Sequence, residues 1–257
     1  MKGAALALHQ YRYDQRQFWR EPASVFFTVV LPLIFLFLFT SIFGNEPVRG
    51  PGGEISFATY YVPGILTLSL VSATFVNLSI TLTILRERGE LKRLRATPVP
   101  AWIVIAGRTL TALGVTAVMV VVLVAIGALA YDVEVPGGTL PGALLSLVVG
   151  VVALSALGFA FTAAIPSENA AAPMANAIVL PLYFISGIFV PEDQLPGAMQ
   201  TIGAVFPVQP LFDALLTAFD PFTSGVGFAW ADLAVVAAWG VGGALVALAR
   251  FRWVPRR

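Results

Sequence analysis

The chain has 257 residues, of which 58% are hydrophobic and 11% charged, with a formal net charge of +1 and no cysteine. Soluble domains carry about a quarter of their residues as charge, so this balance, with its long apolar runs, excludes an ordinary soluble globule and points to a membrane protein. The missing cysteine excludes disulfide scaffolds, thiolate metal sites and cysteine nucleophiles.

Taken in chain order, the first element is the segment ALALHQYRYDQRQFWREP within residues 1–22. Leu8, Tyr11, Phe18 and Trp19 share one face of a helical wheel, interrupted by Gln15, while Arg16, Gln17 and Arg20 lie away from its centre. That pattern predicts a helix lying in the membrane interface, where Tyr and Trp prefer to sit; the plainer alternative is a basic tail that only orients the chain. Pro22 then allows a turn into the membrane. A crossing helix needs about 20 mostly apolar residues. Six runs meet that expectation: Val25–Phe43, Val62–Leu85, Thr109–Tyr131 (with a start as early as Trp102), Leu140–Ile165, Ala170–Val190 and Phe228–Ala249. Leu195–Phe219 fits a crossing poorly. It is apolar but broken by Pro196, Pro207 and Pro210 and contains Asp213, which predicts that the segment 191–220 is a re-entrant helical pair on the outer side.

Placing the N-terminus in the cytoplasm puts fourteen of the fifteen Lys and Arg residues on that side, with only Arg49 outside. This satisfies the positive-inside rule and returns the C-terminus to the cytoplasm. The polar groups within the runs are neutral. Span two carries Thr67, Ser69, Ser72, Thr74, Asn77, Ser79, Thr81 and Thr83, and span five Asn176 and Ser186. Such residues serve as interhelical hydrogen-bond partners, or Asn77 and Asn176 line a translocation path. Small residues of span four (Gly150, Ala156, Gly158, Ala160, Ala164) and span six (Gly240, Gly242, Gly243) favour close helix contact.

Several chemistries are missing. No G-x-x-x-x-G-K-[ST] occurs, so this chain has no phosphate-binding P-loop. The single histidine, His9, excludes multi-histidine metal sites, and no nucleophile–base arrangement points to an enzyme. A chain without an energy source is either driven by a partner or acts as an ATPase-independent channel or secondary carrier. Ion-driven carriers, however, place ionisable groups near the midplane, and the runs here hold none.

The cytoplasmic stretch 86–100, RERGELKRLRATPVP, concentrates seven charges in its first ten residues, five basic and two acidic. A topological anchor needs no acidic residues. The spacings Arg86–Glu90 and Glu90–Arg93 predict ion pairs on a short helix, with Leu91 and Leu94 as an exposed apolar ridge and Thr97–Pro98 as its stop. Such a helix suits docking into a groove on another protein, whereas the plainer alternative is a solvated loop.

Three stretches together resemble the ABC-2 type permeases, the membrane subunits of ATP-binding cassette exporters. They are FWREPASVFFTVVLPLIFLFLF, ERGELKRLRATPVPAWIVIAGRTL and PLYFISGIFVPEDQLPGAMQTIGAVFPVQPLFDAL, in the family's order and reaching over nearly the whole chain. The antibiotic or multidrug export type is the most similar. The resemblance implies an all-α membrane protein with six transmembrane helices, an N-terminal interfacial elbow helix and an extracellular re-entrant pair before the last span. It implies a separate ATPase subunit that binds ATP and Mg, with no cofactor in this chain, and a second permease copy, identical or not. By the same resemblance Glu87, Arg88, Gly89, Glu90, Leu91, Leu94 and Arg95 form the ATPase-coupling helix, and Gly187, Phe189 and Pro191 lie at an outer gate. The expected cargo is amphipathic drugs, antibiotics or lipid-like molecules, exported across a bacterial cell membrane.

Overall fold

The structure, a computed structural model, describes residues 3–44, 46–95 and 101–251. The described residues form helices and a two-stranded hairpin. The helices are α1 (Gly3–Arg20), α2 (Pro22–Phe43), α3 (Phe57–Glu87), α4 (Glu90–Arg95), α5 (Ala101–Tyr131), α6 (Leu140–Phe161), α7 (Glu168–Ile185), α8 (Gly197–Val205), α9 (Val208–Phe219) and α10 (Trp230–Arg250). Strands β1 (Pro47–Arg49) and β2 (Glu54–Ser56) pair antiparallel, with Val48 opposite Ile55.

Among the described residues five helices, α2, α3, α5, α6 and α10, are long and apolar enough to cross a membrane. Helix α7, the expected fifth span, has 18 residues but falls short on apolarity, since Glu168, Asn169, Asn176 and two internal prolines dilute it. It also ends at Ile185, earlier than the expected Val190, because Ser186 turns and Gly187 takes a positive φ of 79°. Helices α8 and α9, of 9 and 12 residues, meet at 90°. At about 1.5 Å per residue neither alone spans a ~30 Å hydrocarbon layer.

Helix α3 is the axis of the bundle. Every residue from Phe57 to Val71 is buried, and α2, α5, α6, α7 and α9 pack around it. Most hydroxyls of this run are buried, and buried hydroxyls need local acceptors. Thr67, Thr74, Ser79 and Thr83 donate to the carbonyls of Pro63, Leu70, Phe75 and Ser79, four residues back. The expected role as interhelical partners therefore holds for few of them. Ser72 pairs with the Tyr183 hydroxyl at 3.3 Å, Asn77 donates to Ser24 at 3.2 Å, and Ser79 also reaches the Gly158 carbonyl at 3.3 Å. A back-bonded hydroxyl loosens its own turn, and α3 widens into a π turn over Ser72–Val76 in the middle of this stretch.

The glycines act within the chain. A side chain at Gly240 would strike Ala153, and one at Gly243 would strike Leu157, so α10 lies directly on α6. Gly158 abuts the Phe75 backbone of α3, and Gly150 lies under Leu211 of α9. Gly242 faces open space.

Helix α1 departs from the expected wheel. Its inner face is Gln10, Asp14 and Phe18, laid along α5, while Leu8 and Trp19 are exposed. Gly107 and Gly114 of α5 provide the track, and Gln15, the expected intruder, donates to the Thr111 carbonyl at 3.1 Å. Asp14 is buried 3.4 Å from Arg108 and accepts from Gln10 at 3.0 Å. At the far end of the bundle, the Asp220 carboxylate accepts from the backbone N–H groups of Gly52 at 2.6 Å and Phe222 at 2.8 Å, pinning the hairpin turn to the end of α9.

Candidate functional site

The charged stretch sits where α3 stops. Arg88 closes the helix, Gly89 adopts φ +72°, and α4 begins at Glu90 with the Arg93 N–H donating to the Gly89 carbonyl at 3.2 Å. Only glycine reaches this left-handed conformation without strain. A side chain there would meet nothing within 4 Å, so the backbone angle alone demands glycine. The short helix expected from the sequence is present, but its side-chain pattern differs. Leu91 is 0% exposed, so it anchors α4 to the bundle and forms no outward ridge. The side chains of Leu94 and Arg95, and the expected Thr97–Pro98 stop, lie outside the described residues. Glu90, Lys92 and Arg93 face outward.

The expected Arg86–Glu90 pair does not form, because Arg86 points into the protein, 1% exposed. Its two terminal nitrogens each donate at 2.7 Å, one to the Thr162 carbonyl and one to the Ile165 carbonyl, while Nε donates to Glu87 at 2.9 Å. Thr162 and Ile165 follow the end of α6, where carbonyls have lost their helical partners and the helix dipole is negative. A planar guanidinium with fixed forked donors fits two such acceptors, and the adjacent Glu87 carboxylate balances its buried charge. Arg88 reaches Glu168 in the first turn of α7 at 3.6 Å. Residues 86–88 thus join the end of α3 to the α6–α7 connection. Neither Glu90 nor Arg93 has an ion-pair partner among the described residues.

At the other end, the Gly187 carbonyl accepts from the Tyr60 hydroxyl at 2.7 Å. Phe189 is the centre of an aromatic cluster. Its ring stacks on Phe39 at 5.8 Å and meets Phe35 at 5.7 Å, Phe184 at 5.3 Å and Tyr183 at 6.3 Å. Pro191 precedes a short turn, Glu192–Gln194, leading to α8. The G-x-F-x-P element therefore ties α2, α3 and α7 together before the bent pair begins. Tyr60 and Phe39 belong to this arrangement, and only their aromatic character within apolar runs could have signalled it. Asn77 and Asn176 are not brought together: Asn77 bonds Ser24 of α2, and Asn176 is exposed on α7. Sequence reasoning also missed Arg86 as a structural tie and the Asp14–Arg108 pair.

The family model for the ABC-2 type transporter matches residues 10–219, which takes in most of α1, the α3–α4 junction, the G-x-F-x-P element and the bent pair. The chain belongs to the ABC-2 type transporter family. Among relatives of this ABC-2 chain, the daunorubicin resistance ABC transporter permease protein DrrB1 of Streptomyces coeruleorubidus is 31% identical over 70% of the chain and 63% of its own length. The putative transport permease ycf38 of Cyanophora paradoxa is 23% identical over 75% of the chain and 66% of its length. The match thus spans a little under two thirds of these two relatives. The probable multidrug ABC transporter permease YbhR of Escherichia coli (strain K12) is 22% identical over 62% of the chain and 43% of its length. The ABC-2 chain is accordingly a multi-pass, all-α membrane subunit of the ABC transporter type.

Proposed function

We propose that this chain is the permease of an ATP-driven exporter that moves amphipathic drugs, antibiotics or lipid-like molecules outward. In this reading a separate ATPase subunit binds ATP and Mg and docks on α4, a second permease copy completes the pathway, and both termini are cytoplasmic. The observation that carries it is the wiring of residues 86–91. A six-residue helix with outward Glu90, Lys92 and Arg93 is anchored by buried Leu91 and continues into α3, whose last turn holds the α6–α7 connection through Arg86 and Arg88. Force applied to α4 would reach three helices at once. The relative named for daunorubicin resistance supports a drug as cargo.

In the same reading the bent pair α8–α9 dips into the membrane from outside, and the Gly187–Phe189–Pro191 element forms the outer gate above it. Asn77 serves as a tie between α2 and α3, and Asn176, exposed on α7, is the remaining candidate for a surface facing the pathway or the second copy. The test is co-purification of the tagged chain with a P-loop ATPase, in wild type and in the charge-reversed variant Glu90→Arg/Arg93→Glu. The expected result is an ATPase partner with wild type and its loss with the variant, both folded. Transport by the chain with no ATPase bound would overturn the proposal in favour of an independent channel or carrier.

A further inference from the structure

An apolar groove of ≈ 670 Å³ opens between α6, α7 and α10, beneath the bend of α8 and α9. Its origin is geometric. The Trp239 indole N–H donates to the Val205 carbonyl at 2.7 Å and Phe206 stacks on the Trp239 ring at 5.5 Å, so the bend meets α10 there. Trp239 is near the middle of α10, about 14 Å from one end and about 16 Å from the other at 1.5 Å per residue. The bent pair therefore fills only half the depth between α7 and α10. Past it the space is walled by Leu157, Phe161, Ile178, Leu182, Gly242 and Val246.

Two properties select the guest. All the lining side chains are apolar, and the single polar atom among them, the Trp239 indole nitrogen, already has its acceptor. A guest gains no hydrogen bond there, which suits a hydrocarbon chain and excludes a polar solute. The volume lies within the roughly 300–1,000 Å³ of sites for small organic ligands. Arg250 stands four residues beyond Val246, hence on the same face of α10 one turn nearer its end. It is exposed and in no ion pair among the described residues. A cation at the open end of an otherwise uncharged groove complements an amphiphile with an anionic head.

We propose that this groove holds one acyl chain of an anionic phospholipid, with its headgroup on Arg250. The positive-inside distribution makes its source the cytoplasmic leaflet. The site needs neither ATP nor the ATPase contact at α4, so it stands or falls independently of the export reading.

The test uses the purified full chain equilibrated with vesicles of mixed phosphatidylglycerol and phosphatidylcholine, read by native mass spectrometry. A side chain at position 242 would enter open groove and meet no atom within 4 Å. Gly242→Ala is therefore expected to keep the lipid and Gly242→Phe to lower its occupancy at least tenfold. Arg250→Gln is expected to keep a lipid but lose the preference for phosphatidylglycerol. Equal occupancy in wild type and folded Gly242→Phe would overturn the proposal, as would an unchanged lipid preference in Arg250→Gln. The chain has no cysteine, so Gly242→Cys reports on the other occupant: no cross-link between copies is expected, and an efficient one would assign the groove to a second copy.

Discussion

Arg86 stabilises the end of the bundle where α3 and α6 stop, because its forked donors fit the Thr162 and Ile165 carbonyls. Arg86→Ala would leave the Thr162 and Ile165 carbonyls and Glu87 without their partner. Charged hydrogen bonds of this kind are worth about 1.5–3 kcal/mol, so thermal unfolding in detergent should show a loss on the order of 3 kcal/mol. Arg86→Lys should restore little, since one ammonium cannot reproduce the fork. Asp14 makes a second prediction. Burial raises its pKa above the ordinary 3.8, outweighing the opposing pull of Arg108 and the Gln10 hydrogen bond. A raised carboxyl pKa means that the folded contact favours the neutral form. The α1–α5 contact is then strongest below pH 3.8 and weakens as pH rises through the raised value. Amide exchange in α1, corrected for intrinsic rate, should accelerate relative to α5 across that window, and Asp14→Asn should remove the dependence.

Between α3 and α4 the turn depends on one left-handed glycine. Gly89→Ala meets no atom yet must hold φ near +72°, which should cost about 1 kcal/mol of stability and reorient α4. Tyr60→Phe would strip the buried Gly187 carbonyl of its donor, lowering stability by about 1–2 kcal/mol in the same unfolding assay. These junctions mark the limit of what the linear pattern conveys. Hydropathy located α2, α3, α5, α6 and α10 because length and apolarity are properties of one segment. Proline spacing located the bent pair, and charge spacing pointed to a short helix at α4 although the ion pairs it predicted do not form among the described residues. The β1–β2 hairpin was missed because three-residue strands beside a glycine-rich turn carry no alternation to detect. The partners of Arg86, the burial of Leu91 and the back-bonded hydroxyls of α3 depend on which helix lies alongside, and no periodicity encodes that. Apolar character alone could not separate an exposed leucine from an anchoring one.

Through α3 the two ends of the molecule are one continuous element. Its 31 residues extend about 46 Å, from α4 on one side to the hairpin and the Tyr60–Gly187 contact on the other. Its upper half is buried on all sides, so a displacement carried along α3 would press on the helices packed around it. The Phe189 cluster, held by α2 and α7, lies beside that upper half, so under the proposed function it stands where a push from α4 would arrive. Entry of a driving force at α4, as proposed, is tested most directly by ATP-driven efflux of a fluorescent amphipathic drug from vesicles containing the chain and a co-purified P-loop ATPase. Glu90→Arg/Arg93→Glu alters only outward side chains, so a folded permease whose ATP-driven efflux falls at least tenfold is expected. Efflux equal to wild type in that variant would contradict it.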